Sequence, residues 1–217
     1  MDNNEPETGL SFERVVFFSD AVFAIVITLL VLELKVPHIT EHTDASLRHA
    51  LVELFPRVMG FVVSFLIVGL MWIEHHRIFR FIDDYNAGLL WRNLVMLLCV
   101  SFVPFPTALF SENFWSQTAF VLYTGSFGAA AAAKLWIWRH AAATGLLKKS
   151  VGPEVERRIG RRSLAVPLGC LLAIGLSFVS VWVAPIGFVF IPLFARVLDP
   201  TAKPKRSREE TTVTESA

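Results

Sequence analysis

The amino-acid sequence predicts an all-α integral membrane protein with six transmembrane helices per subunit, and three observations carry that expectation. The 217-residue chain is 54% hydrophobic, with a mean hydropathy of +0.54 and 19 phenylalanines, more apolar matter than a soluble domain of this size buries. Long apolar runs recur along it, at 15–36, 58–79, 88–110, 115–138, 163–182 and 184–198. The connections between those runs alternate between rich and poor in Lys and Arg.

The first run, 15–36, is long enough at about 1.5 Å per helical residue to cross a hydrocarbon core of roughly 30 Å. A cleaved leader is not expected, because Asp2, Glu5 and Glu7 make its flank acidic and the run exceeds the length of a leader's apolar region. The second to fifth runs have similar lengths, and the sixth is shorter. In the fourth, GSFGAAAAAKLWIW, Gly125–Trp138, places small residues at three- and four-residue spacing, which lets helices pack closely in lipid. Contact within one subunit is the expectation there, with a contact between subunits as the alternative.

Arg77, Arg80 and Arg92 surround the second connection; Arg139, Lys148, Lys149, Arg157, Arg158, Arg161 and Arg162 lie in the fourth; Arg196, Lys203, Lys205, Arg206 and Arg208 follow the last run. The alternate connections hold few basic residues or none. By the positive-inside rule both termini are expected in the cytoplasm of a multi-pass cell-membrane protein. Residues 1–9 and the basic 199–217 read as disordered tails around a membrane domain at 10–198, and the basic tail as able to touch anionic lipid headgroups.

With a formal net charge of +1, nothing favours nucleic acid as a partner. Cys99 and Cys170 fall inside apolar runs without metal-ligand spacing, so neither a disulfide nor a metal is expected. His75 and His76 are adjacent, hence about 100° apart on a helix and poorly placed to share a metal. His38 and His42 occupy a polar connection and read as solvated. There is no phosphate loop, no nucleophile elbow and no cofactor motif, so catalytic residues are expected to be absent.

Asp20 stands near the start of the first apolar run. A helical wheel groups Ala21, Ile25, Thr28, Leu29, Leu32 and Val36 on one stripe and puts Asp20 and Ser19 on other sides. An intramembrane carboxylate points into protein or water, and with an N-in topology Arg14, Trp72, His75, His76 and Asn93 share its depth. The expected arrangement is a polar network in which Asp20, held ionised by Arg14, fixes the first helix to its neighbours.

RVVFFSD, Arg14–Asp20, followed by AVFAIVITLLVLEL, resembles the R-x-x-x-F-S-D signature of the transmembrane protein 175 family of lysosomal and prokaryotic potassium channels. WIEHHRIF at 72–79 and WRNLVMLLCVSFVPFPTALF at 91–110 resemble that family's second and third spans. The resemblance implies a potassium channel in which the first helix lines a central pore, with single-repeat members forming homotetramers. Carried over by position, Ile25, Leu29 and Leu32 become the narrow hydrophobic rings and Thr28 a hydroxyl ring giving moderate potassium preference. Arg14, Ser19, Asp20, Trp72, His75 or His76, and Asn93 become the polar network. Potassium ions as permeant, membrane lipids and further copies of the chain are the implied partners. The alternatives are a proton-coupled secondary transporter using Asp20 and a histidine, an integral membrane enzyme built on Glu74-His75-His76, and a scaffold without conduction.

Overall fold

The computed structural model describes residues 12–39 and 43–198. The two tails, Glu41 and His42 lie outside the described residues, so the expectations placed on them have no structural counterpart here. The described chain is helical almost throughout. Helix α1, Phe12–Leu29, tightens into a 3-10 turn at Leu30–Glu33, and the pair spans 22 residues before Pro37 holds the chain extended. A short helix α2, Asp44–Glu53, follows; the Thr43 hydroxyl accepts from the Ser46 N–H at 3.2 Å to cap it, and none of its residues is buried. The sequence reading took this stretch as a plain polar connection, since an exposed ten-residue helix has no apolar stripe to announce it.

Helix α3, Phe55–Phe79, starts with Pro56 in its first turn and runs to the first basic connection. Helix α4, Ala87–Phe102, is capped by Asn86 and α5, Pro104–Glu112, continues it. The run read as one span is thus two helices, because Pro104 lacks the N–H that would continue the ladder. Helix α6, Gln117–Ala143, opens on Ser116 and is the most buried of the set. Helix α7, Pro153–Arg162, is polar, α8 runs Ala165–Ser177, and α9 runs Ile186–Leu198.

Among the described residues, five stretches are long and apolar enough to cross a membrane: Phe12–Glu33, Phe55–Phe79, Ala87–Glu112, Gln117–Ala143 and Pro153–Ser177. The sixth apolar helix, α9, has 13 residues and spans about 20 Å. The fold is that of an all-α, multi-pass membrane protein.

The core sits between α1, α3, α4 and α6, built on Phe23, Val26, Leu30, Val68, Met96 and Trp138. The small-residue segment of α6 is used within the subunit: Ala130, Ala131 and Ala133 are buried, and a Cβ on Gly128 would lie 3.1 Å from Cys170 Cβ on α8. The α8–α9 hairpin is tighter still, since a Cβ on Gly187 would come within 2.5 Å of the Ala173 backbone nitrogen.

The two basic connections meet at one end of the bundle. Asp83 N–H donates to the Leu146 carbonyl and Lys148 N–H to the Phe81 carbonyl, both at 2.9 Å. At the other end Arg57 pairs with Glu112 at 3.2 Å, and Phe114 meets Trp182 edge to face in an aromatic rim.

Candidate functional site

Helix α1 packs on α3 and α4, and its residues divide accordingly. Val15, Ser19, Phe23, Val26 and Leu30, spaced by four, four, three and four, form the buried face. On the opposite side Ile25 is 56% exposed, Leu29 41% and Leu32 68%, with Ala21, Thr28 and Val36 also open. Among the described residues of the subunit, this aliphatic stripe has no partner helix. The Thr28 hydroxyl donates to the Ile25 carbonyl at 2.8 Å, which turns its proton back onto the helix and leaves the oxygen lone pairs directed outward. A hydroxyl held that way can offer electron density to a cation.

On the buried side the structure joins three helices through side chains. Ser19 donates to the Val15 carbonyl at 2.9 Å and accepts from Asn93 Nδ2 at 2.9 Å. Asn93 Oδ1 lies 3.0 Å from His75 Nε2. The amide oxygen carries no proton, so His75 is the donor and the Nε2–H tautomer is fixed. Its Nδ1 is buried and without a hydrogen-bond partner among the described residues. The imidazole is fully buried, stacked on Phe79 at 4.2 Å between centroids and tilted against Phe23 at 5.5 Å. Ser19 on α1, His75 on α3 and Asn93 on α4 therefore form one buried chain.

Asp20 belongs to a separate bond. The Trp72 indole N–H donates to its Oδ1 at 2.8 Å, on the half-exposed flank of α1. His76 is exposed, its ring 6.1 Å from that of Trp72, and joins neither group. Arg14 is the correction to the expected network: it is exposed and, among the described residues, makes no ion pair with Asp20. The reason is helical phase, since residues six apart differ by about 240° and point to different faces. Arg14 instead lines a groove between α1 and α4 that Asn93 also borders.

A second buried cluster escaped the sequence reading. Ser64 Oγ hydrogen-bonds Tyr123 Oη at 3.1 Å and Thr107 Oγ1 at 3.0 Å, tying α3, α5 and α6 towards the other end. The signal was there as isolated hydroxyls inside apolar runs, but their partners lie 43 and 59 residues away and no periodicity pairs them. No group of three or more His, Cys, Asp or Glu side chains is placed to hold a metal among the described residues.

The profile of the family described as "Endosomal/lysosomal potassium channel TMEM175" matches residues 14–104. A potassium channel of Chamaesiphon minutus is 38% identical over 192 residues, 86% of this chain and 92% of that protein. A potassium channel of Streptomyces collinus is 38% identical over 172 residues, 77% of this chain and 82% of the other. The human endosomal/lysosomal proton channel TMEM175 is 38% identical over 109 residues, 48% of this chain and 21% of that protein. The crystal structure of a lysosomal potassium-selective channel TMEM175 homolog from Chamaesiphon minutus superimposes with a TM-score of 0.73 at 35% identity, covering 87% of this chain and 98% of that one.

Proposed function

This chain belongs to the TMEM175 family, and from that premise we propose that it is a potassium-selective cation channel whose ion route is lined by the first helix of each subunit of a homotetramer. One observation carries the assignment of the pore: α1 is fastened by its Ser19 side to α3 and α4 and, among the described residues, leaves Ile25, Leu29 and Leu32 exposed on the opposite side. Four copies of that stripe around an axis make successive rings of branched side chains. A narrow ring of this kind dewets, and so closes the route to a hydrated ion until the side chains or helices withdraw.

Thr28 sits within the stripe, and its outward lone pairs replace part of the hydration shell as an ion passes. Potassium gives up its water more easily than sodium, so hydroxyl oxygens favour it, and with no fixed charge on the stripe the preference is moderate. Asp20, Ser19, Trp72, His75 and Asn93 hold the helix at the depth and rotation that keep the stripe facing the axis. The basic connections face the cytoplasm, and both termini with them.

The transporter alternative loses its support from geometry. It needs Asp20 and a histidine on one proton path, whereas Asp20 bonds Trp72 and His75 bonds Asn93. Bi-ionic current recording of the purified protein in planar bilayers tests the reading. Currents that reverse towards the potassium equilibrium potential uphold it, and flux that saturates at carrier rates or tracks a proton gradient overturns it.

A further inference from the structure

We infer that a cavity at the basic end of the bundle is a binding site for a phosphate-bearing anion, supplied by the headgroup of an anionic phospholipid. The cavity has a volume of about 580 Å³ and opens between the ends of α3, α6 and α9, the start of α8 and the face of α7. Its ionisable lining includes Arg77, Lys134, Arg162 and Arg196 against the single carboxylate of Glu74, and Arg158, which has a partner of its own, borders it. That carboxylate is already engaged: Glu74 Oε1 accepts from Arg77 Nη1 at 2.6 Å, and Oε2 lies 3.7 Å from Lys134 Nζ. Lys134 is an ammonium inside a membrane-spanning helix with its side chain only 9% exposed, and among the described residues its ion pair is with one carboxylate at 3.7 Å, which leaves donors for a further ligand. Among the described residues, no carboxylate is within ion-pair distance of Arg162 or Arg196. Such an excess of positive charge in a partly desolvated cavity calls for an anion, and guanidinium groups match the paired oxygens of phosphate.

The remaining walls decide the source of the phosphate. Leu70, Val166 and Ile191 line the cavity beside the cations, so one side suits hydrocarbon and the other a charged headgroup. Basic pockets between transmembrane helices at the level of the headgroups are where anionic lipids dock. The inference stands apart from conduction and needs no pore.

The test uses the full chain, purified in detergent and stripped of lipid, with binding read by native mass spectrometry. Phosphatidylglycerol is expected to be retained and phosphatidylcholine lost, and R162Q/R196Q to weaken phosphatidylglycerol binding by about tenfold to thirtyfold. R162K/R196K, which keeps both charges but loses the paired guanidinium donors, is expected to recover only part of it. Equal retention of the two lipids overturns the site, as does undiminished phosphatidylglycerol binding by R162Q/R196Q that elutes like the parent protein on size exclusion. Displacement of phosphatidylglycerol by millimolar inorganic phosphate overturns the lipid as the source, and failure to displace it upholds the lipid. Current recordings run in parallel keep a lost site distinct from a lost channel.

Discussion

Asn93 Nδ2 lies 2.9 Å from Ser19 Oγ, joining α4 to α1 across 74 residues of sequence in a part of the core where both side chains are buried. Because the same amide takes the His75 proton through its oxygen, one side chain fixes two neighbours, and each would be left short of a partner without it. This clamp holds the rotation of α1, and rotation decides which residues the helix turns away from its own subunit.

Asn93→Leu keeps the branching and the number of side-chain heavy atoms and removes both bonds. His75 Nε2–H is then a buried donor without an acceptor, in addition to the lost Ser19 bond, and the expected cost is about 2–4 kcal/mol. Thermal unfolding in detergent measures it. A melting temperature equal to that of the parent protein contradicts the clamp.

Trp72→Phe removes only the indole N–H from Asp20. That bond lies on a half-exposed flank, so the expected loss is small, about 1 kcal/mol. Asp20→Ala should cost the same bond and add nothing when combined with Trp72→Phe, giving a coupling energy of about that size in a double-mutant cycle. Asp20→Ala is further expected to reduce the yield of assembled protein more than it alters ion selectivity, and a normal size-exclusion profile with altered permeability ratios reverses that ranking.

Much of this was readable from sequence because α1 is strongly two-sided. The wheel separated Ile25, Leu29 and Leu32 from Ser19 and Asp20, and in the fold the three are exposed, Ser19 is buried on the opposite side and Asp20 lies on the flank between. Depth was readable too, since Trp72, His75 and Asn93 end or begin their spans at one level. What periodicity could not supply was partner choice at that level. Arg14 offered the opposite charge, yet Asp20 took an uncharged indole, because phase along one helix outweighs formal charge. Adjacent His75 and His76 are equivalent on paper and differ only in which face of α3 meets α1. The Ser64, Thr107 and Tyr123 cluster and the cavity around Lys134 arise from helices brought together by the tertiary fold, which hydropathy along a single chain does not encode.

In the proposed pore, Ile25→Ser replaces one ring of the constriction with a small polar side chain. A ring that wets at lower cost stays open more of the time, so reconstituted protein is expected to show raised basal current and weaker discrimination between potassium and sodium. Because Ile25 is more than half exposed within the subunit, its loss should leave the stability of the fold within about 0.5 kcal/mol. Currents unchanged from those of the parent protein remove Ile25 from the ion route.

Thr28→Val is the most discriminating substitution, because the two side chains have nearly the same shape and differ in the oxygen. The hydroxyl bonds only the Ile25 carbonyl one turn back and is exposed, so folding and assembly should be unaffected. In the proposed pore, what changes is the ligand offered to a passing ion. Removing an oxygen contact worth about 1 kcal/mol from the preferred ion corresponds to a roughly fivefold fall in the potassium-to-sodium permeability ratio. Thr28→Ser keeps the oxygen and should retain the ratio while loosening the ring. Equal ratios in all three proteins leave Thr28 a helix-capped hydroxyl with no part in selectivity, and place discrimination at the aliphatic rings alone.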